Sequence, residues 1–149
     1  MQIQKFNIRV YGILINEHNQ VLVTDELIKG QEITKFPGGG LEFGEGTIEC
    51  LVREFMEETN NKVEVVEHFY TTDYFQVSAY NNTHQIISIY YIVKPVSTFE
   101  ITVTDKIFDF KDQSDYAQTF RWIDLKNISE NDLTLAIDKV VGKMLKNKK

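Results

Sequence analysis

Glu54, Glu57 and Glu58 stand three and four residues apart in the chain. On an α-helix, at about 100° per residue, they fall within one arc of roughly 100° and become neighbours. Like charges at such spacings destabilise an isolated helix. Two readings reconcile them. Water can screen a solvated acidic face, or the carboxylates can converge on a hard divalent cation, since Mg²⁺ and Mn²⁺ prefer oxygen donors. The context favours the second. Pro37-Gly38-Gly39-Gly40 comes shortly before, and glycines let backbone approach a ligand and aim N–H groups at an anion. A glycine run alone marks only a tight turn. Beside carboxylates at this spacing it makes the layout of metal-assisted phosphoryl chemistry.

The charge distribution points to the same segment. The chain of 149 residues carries 16 Lys+Arg and 22 Asp+Glu, a net of −6. Gly39–Asn61 holds six of those acids and only Arg53 as a base, a net of −5, which leaves −1 for the rest. A near-neutral protein with one concentrated anionic segment offers little to extended nucleic acid or to anionic membrane. One cysteine, Cys50, excludes an internal disulfide and an all-cysteine metal site. No apolar run approaches the ~20 residues of a membrane helix. The first residues, MQIQKFNIRV, lack the basic flank and apolar stretch of a signal peptide. The expectation is one cytoplasmic domain spanning 1–149.

The elements that must position these groups follow from periodicity. Phe6–Ile15 and Val21–Thr24 read as strands joined by the polar turn NEHNQ, which predicts a hairpin. Ile33–Phe36 is a short strand that Pro37 and the glycines end. Thr47 is the expected N-cap of a helix whose apolar face is Ile48, Leu51, Val52 and Phe55; Asn60 and Asn61 end it. Val63–Phe75 and Gln85–Val93 read as long strands turning at Asn81–Thr83, with shorter ones at Ile101–Thr104 and Phe120–Ile123. Ser129 is expected to cap a second helix with an apolar stripe from Leu133 to Leu145. The order of strands, helix, strands, helix predicts an α/β (α+β) fold with helices packed on a mixed β-sheet.

The segment Gly39–Asn61, GGLEFGEGTIECLVREFMEETNN, resembles the signature box of the Nudix hydrolases (MutT-like). Gly39 and Glu45 match the box's first Gly and Glu. Arg53-Glu54 match its Arg-Glu pair, Phe55 its apolar position and Glu57-Glu58 its Glu-Glu pair. The resemblance covers 23 of 149 residues. Two positions depart: the closing Gly is Asn60 and the apolar residue after it is Asn61. Asn is the best substitute for Gly in a left-handed cap, and Val63 is placed to take over the packing. Neither departure touches a carboxylate.

The resemblance implies an α/β/α sandwich and hydrolysis of a diphosphate linkage in a nucleoside diphosphate derivative, with water as nucleophile and Mg²⁺ or Mn²⁺ as cofactor. It implies Glu54, Glu57 and Glu58 as metal ligands, Arg53 as their orienting cation, Glu45 as its ion-pair partner, and the backbone of Gly38, Gly39 and Gly40 beside the diphosphate. A general base is expected within the box or on a later loop, where Glu100, Asp105, Asp109, Asp112 and Asp115 are candidates.

The rest of the substrate is less legible. Seven of the 18 aromatics fall in Phe69–Tyr91, where they can stack on a nucleobase or simply pack strands. Tyr74, Phe75 and Tyr80, near the strand ends, are the better pocket candidates, with Arg9 and Lys35 as phosphate contacts. Arg121 beside Trp122 reads as structural. A homodimer stays open. Two other readings compete. A Nudix-fold isomerase would want a reactive cysteine, and Cys50 lies among apolar residues. A non-catalytic ligand sensor typically loses box carboxylates, and here all are present.

Overall fold

The computed structural model describes residues 2–148. The described residues form a mixed α+β fold of seven strands, a 3₁₀ turn and two helices. It divides into two compact units, one of residues 1–13 and 38–99, the other of 14–37 and 100–149.

The first unit is built on a four-stranded sheet. Strand β1 spans Lys5–Leu14, β4 Gly38–Gly40, β5 Val63–Thr71 and β6 His84–Pro95. Their order is β4-β1-β6-β5. The short β4 is built from glycine alone and pairs antiparallel with β1, with Arg9 opposite Gly40, Val10 opposite Gly39 and Tyr11 opposite Gly38. The expectation that the glycines end regular structure is therefore corrected: Pro37 ends a strand, and the glycines form the next one. Gly38 has φ +147°, and a Cβ there would stand 2.1 Å from the carbonyl oxygen of Val10. Only glycine allows β4 to close on β1.

Helix α1 spans Thr47–Thr59 and buries Cys50, Leu51 and Phe55. Its N-cap is Gly46, one residue before the expected Thr47. The Glu49 carboxylate accepts the Gly46 N–H at 2.9 Å, and the Thr47 hydroxyl instead bonds the Tyr91 hydroxyl at 2.7 Å. Asn60 adopts the left-handed cap at φ 56°, as its sequence position predicts. Val63 is 1% exposed, so it fills the apolar role that Asn61 leaves. The helix seats on β1 through Gly12, where a Cβ would stand 2.5 Å from the Phe55 ring.

The second unit carries a three-stranded sheet, β3-β2-β7. Here β2 is Gln20–Ile28, β3 Gln31–Lys35 and β7 Gln118–Asp124. The predicted β1–β2 hairpin is corrected: β1 and β2 belong to different sheets, and only an isolated bridge, Ile15 to Val21, spans the turn. Residues Ile101–Thr104 form no strand. Ser129 does cap, but it caps the 3₁₀ turn Glu130–Asp132. Helix α2 starts later and spans Ala136–Lys146, burying Ile137, Val141 and Leu145.

Asp25 organises this sheet. It is fully buried. The Arg121 guanidinium donates to it through Nε at 2.5 Å and Nη2 at 3.0 Å. The Thr34 hydroxyl donates at 2.7 Å and the Phe108 backbone N–H at 3.2 Å. Arg121 is thus structural, as its place beside Trp122 suggests. Breaking a buried pair costs more than the pair contributes, because a desolvated charge is left behind. Asp25→Asn is expected to lower stability by about 3–5 kcal/mol in urea unfolding. A loss within experimental error would show that the pair carries no such constraint.

Candidate active site

The site is assembled around Arg53. Its Nε donates to Glu45 Oε2 at 2.9 Å and its Nη2 to Glu45 Oε1 at 2.7 Å, a bidentate pair. The same Nη2 reaches the Gly40 carbonyl at 3.2 Å. Nη1 donates to Glu54 Oε1 at 3.0 Å and to Glu57 Oε2 at 3.1 Å. Glu42 lies 3.7 Å from Nη1. One guanidinium therefore spans helix α1, strand β4 and the turn before the helix. A simple i,i+4 surface pair with Glu57 does not describe it.

Glu45 is fixed in turn. Its Oε1 accepts the Glu42 N–H at 3.0 Å. The Arg53 hydrogen bonds, then that of Glu42, hold its carboxyl down at about 2. Arg53 is held firmly protonated, chiefly by Glu45 and then by Glu54, against the opposing effect of burial. Beside them, the Cys50 thiol is pushed up to about 12 by burial and then by Glu45. Its Sγ lies 3.5 Å from the Gly40 carbonyl, and a buried, protonated thiol is not the reactive cysteine that the isomerase reading wants.

Glu54 rests on β4. A Cβ at Gly39 would stand 2.5 Å from Glu54 Oε1 and 2.7 Å from Oε2. The glycine makes the cradle in which this carboxylate lies. Glu58 has a buried Oε2, while the Glu57 side chain is 57% exposed. The donor set is thus three carboxylates on one helix face, all hard oxygen, which fits Mg²⁺ or Mn²⁺. Arg53 holds two of the three, and among the described residues no three His, Cys, Asp or Glu side chains are gathered as a metal cage.

Strand pairing places Arg9 on the other face. Residues opposite each other in an antiparallel pair share a face. Val10 and Gly39 face α1. Arg9, Gly40 and Tyr11 face away from it, and a Cβ at Gly40 would stand 3.3 Å from Arg9 Nη1. Arg9 Nε donates to the Tyr11 hydroxyl at 3.1 Å. An aromatic row continues from there, with Tyr11 to Tyr90 at 5.3 Å and Tyr90 to Tyr70 at 6.2 Å. The Tyr70 hydroxyl donates to Asp73. Tyr74 and Phe75 follow in the loop beyond β5, at 40% and 58% exposure. Lys35 belongs to the second unit. It is 4% exposed, and its Nζ is engaged by Glu26 at 3.1 Å. That charge is already paired with an acid of its own sheet. The acids of the 105–115 loop are also in the second unit. Among them Asp112 is kept below the usual carboxylate range by the Ser114 hydroxyl and then its N–H, which makes it a weak base. Sequence reasoning missed Thr47–Tyr91 and Gly12. A glycine inside a β-branched strand run was the available signal for the second.

A family model described as the NUDIX domain matches residues 5–144. The chain belongs to the Nudix family. Solved structures agree on the fold. The MutT protein from Methanosarcina mazei Go1 superposes with a TM-score of 0.70 at 19% identity, covering 98% of each chain. A MutT NUDIX hydrolase from Burkholderia pseudomallei gives 0.67 at 12% identity, covering 93% of this chain and 96% of that one. An ADP-ribose pyrophosphatase from Streptococcus suis 89-1591 gives 0.59 at 13% identity, covering 93% and 86%. A search of curated proteins finds no significant match. At these identities the likeness is one of fold. Among the described residues no helix is long and apolar enough to cross a membrane.

The Glu45–Arg53 pair of this Nudix box has a readable pH signature. An ordinary Glu titrates near 4.5, and folded Glu45 near 2. Its stabilisation is therefore complete above about pH 4.5 and drains away as pH falls toward 2. Glu45→Gln is expected to lower Tm at pH 7, and the gap between variant and parent should close across that acid window. A gap that stays constant from pH 7 to pH 2 would show that the pairing is not the cause.

Proposed function

We propose that this Nudix protein hydrolyses a diphosphate linkage in a nucleoside diphosphate derivative, with Mg²⁺ or Mn²⁺ as its cofactor. The observation that carries the reading is the carboxylate trio Glu54, Glu57 and Glu58 on α1, with Glu54 cradled on Gly39 of β4. Glu54, Glu57 and Glu58 would hold the cation. When bound, the cation offsets the charge of the diphosphate and lowers the pKa of a coordinated water.

The chain's own residues do the rest. Arg53 sets the angle of Glu54 and Glu57, and Glu45 sets the angle of Arg53. Gly38 lets β4 close on β1 and Gly39 leaves room for the Glu54 carboxylate against the strand, so the three glycines would shape the backbone beside which a diphosphate lies. Water adds to one phosphorus, the P–O bond to the bridging oxygen breaks, and two phosphate-bearing products leave. Arg9, on the face of β1 away from α1 and bonded to Tyr11, would have to reach a phosphate oxygen from across the glycine strand. Tyr74 and Phe75, exposed past β5, can take the base or the X group by stacking. A small nucleotide derivative is the partner this chemistry selects. The similar fold of a Streptococcus suis ADP-ribose pyrophosphatase is compatible with such a substrate. A non-catalytic sensor is the second reading, and the intact carboxylate trio weighs against it.

The test is a screen of nucleoside diphosphate derivatives with Mg²⁺ or Mn²⁺, identifying both products. Activity should vanish under excess chelator and return with either metal; activity that survives thorough chelation overturns the mechanism. Glu58→Gln should cut kcat by about a hundredfold or more while the fold, followed by circular dichroism, is retained. Retained ligand binding with no turnover in the parent protein would favour the sensor.

A further inference from the structure

The second unit has a groove of about 690 Å³ that uses no residue of the Nudix box. Its size falls in the range of small-molecule sites. Three segments converge on it: the turn after β1, the loop after β7 and the end of α2. Ile15, Leu125 and Leu145 give it an apolar lining, and Leu145 is only 2% exposed. Lys126, Lys146 and Lys148 stand around it, with Asp124 as the acid in the lining.

The charge is anomalous for this chain. Three lysines against Asp124 make the lining +2 with histidine neutral, in a protein whose net charge is −6. The carbonyl end of α2 opposes an anion by about half an elementary charge, which three ammonium groups outweigh. The turn is also held in place. Asn19 takes a left-handed φ of 57°, and its carbonyl accepts the Leu125 N–H at 3.0 Å, which ties two of the three segments together.

We propose that this groove binds a small organic phosphate, its apolar body on Ile15 and Leu125, over the buried Leu145, and its phosphate among the lysines. Charge complementarity selects the anion, and the apolar lining selects an organic one over inorganic phosphate. The site is an effector or accessory site for phosphorylated small molecules, and it stands independently of the hydrolytic reading.

The experiment is backbone-amide NMR titration of the full chain, without added metal, using adenosine monophosphate and, separately, inorganic phosphate. The expected result is saturable shifts at Asn19, Leu125, Lys126 and Leu145, with the nucleotide binding more tightly than phosphate. Lys126→Glu with Lys148→Glu should weaken binding by about tenfold or more. Lys126→Gln with Lys148→Gln is the milder pair should charge reversal disturb the fold. Glu57→Gln, which alters only the box, should leave these shifts unchanged. The proposal is overturned by shifts confined to the box residues, by equal affinity for phosphate and nucleotide, or by no saturable shift. It is also overturned if the lysine variants abolish a concentration-dependent dimer, since the groove is then an interface.

Discussion

The Arg53 guanidinium is the interaction on which the first unit depends. Without it, Glu54, Glu57 and Glu58 would repel one another along a single helical face, with Glu42 and Glu45 adding charge from the preceding turn. A lysine could offset the charge but could not grip Glu45 with two parallel N–H groups while reaching Gly40, Glu54 and Glu57. The planar fork has the donors and the geometry for all of them. The result ties helix, turn and glycine strand through one side chain. Isolated surface pairs contribute little. This one matters because it is a network centred on a side chain that is only 24% exposed.

The strand beneath the helix divides the labour by parity. Successive side chains of β1 point to opposite faces. Val10 and Gly12 serve α1, while Arg9 and Tyr11 serve the aromatic face. On the α1 side, two glycines receive two consecutive helix residues. Gly39 receives the Glu54 carboxylate and Gly12 the Phe55 ring. Close approach of helix to strand is thus bought where chemistry needs it, beside the carboxylate, and where packing needs it, under the aromatic ring.

Which features the sequence discloses follows from how local their causes are. The box helix was legible because its apolar spacing and its Asn60 cap lie within one segment, and Val63 could be named as the substitute for Asn61. Strand β4 was not legible, since three glycines carry no side-chain pattern and form a strand only because β1 offers hydrogen bonds. The hairpin expected for β1 and β2 failed for the related reason that strand partners are chosen by distant segments. Asp25 and Arg121, 96 residues apart, gave no local sign of their pairing. The start of α2 was misplaced because Ser129 satisfies a 3₁₀ turn with the same capping chemistry that would open an α-helix. At the candidate site the carboxylates were readable from spacing, whereas the engagement of Lys35 by Glu26 was not, because it depends on strand register.

The two arginine networks also differ in what they permit. Asp25 is wholly buried and receives Arg121, Thr34 and the Phe108 backbone together, so removing Arg121 strands a charge without water. Around Arg53 the partners are graded. Glu45 is only 14% exposed and is held bidentately, while Glu57 is 57% exposed and held by a single donor. A half-exposed ion pair contributes at most about 1 kcal/mol, so Glu57 can exchange Arg53 for another cation at small cost. Glu45, gripped by two guanidinium donors and a backbone N–H, cannot. The grading puts a firmly held acid, Glu45, and a loosely held one, Glu57, on the same guanidinium, so the helix keeps its tie to the preceding turn whichever state Glu57 takes.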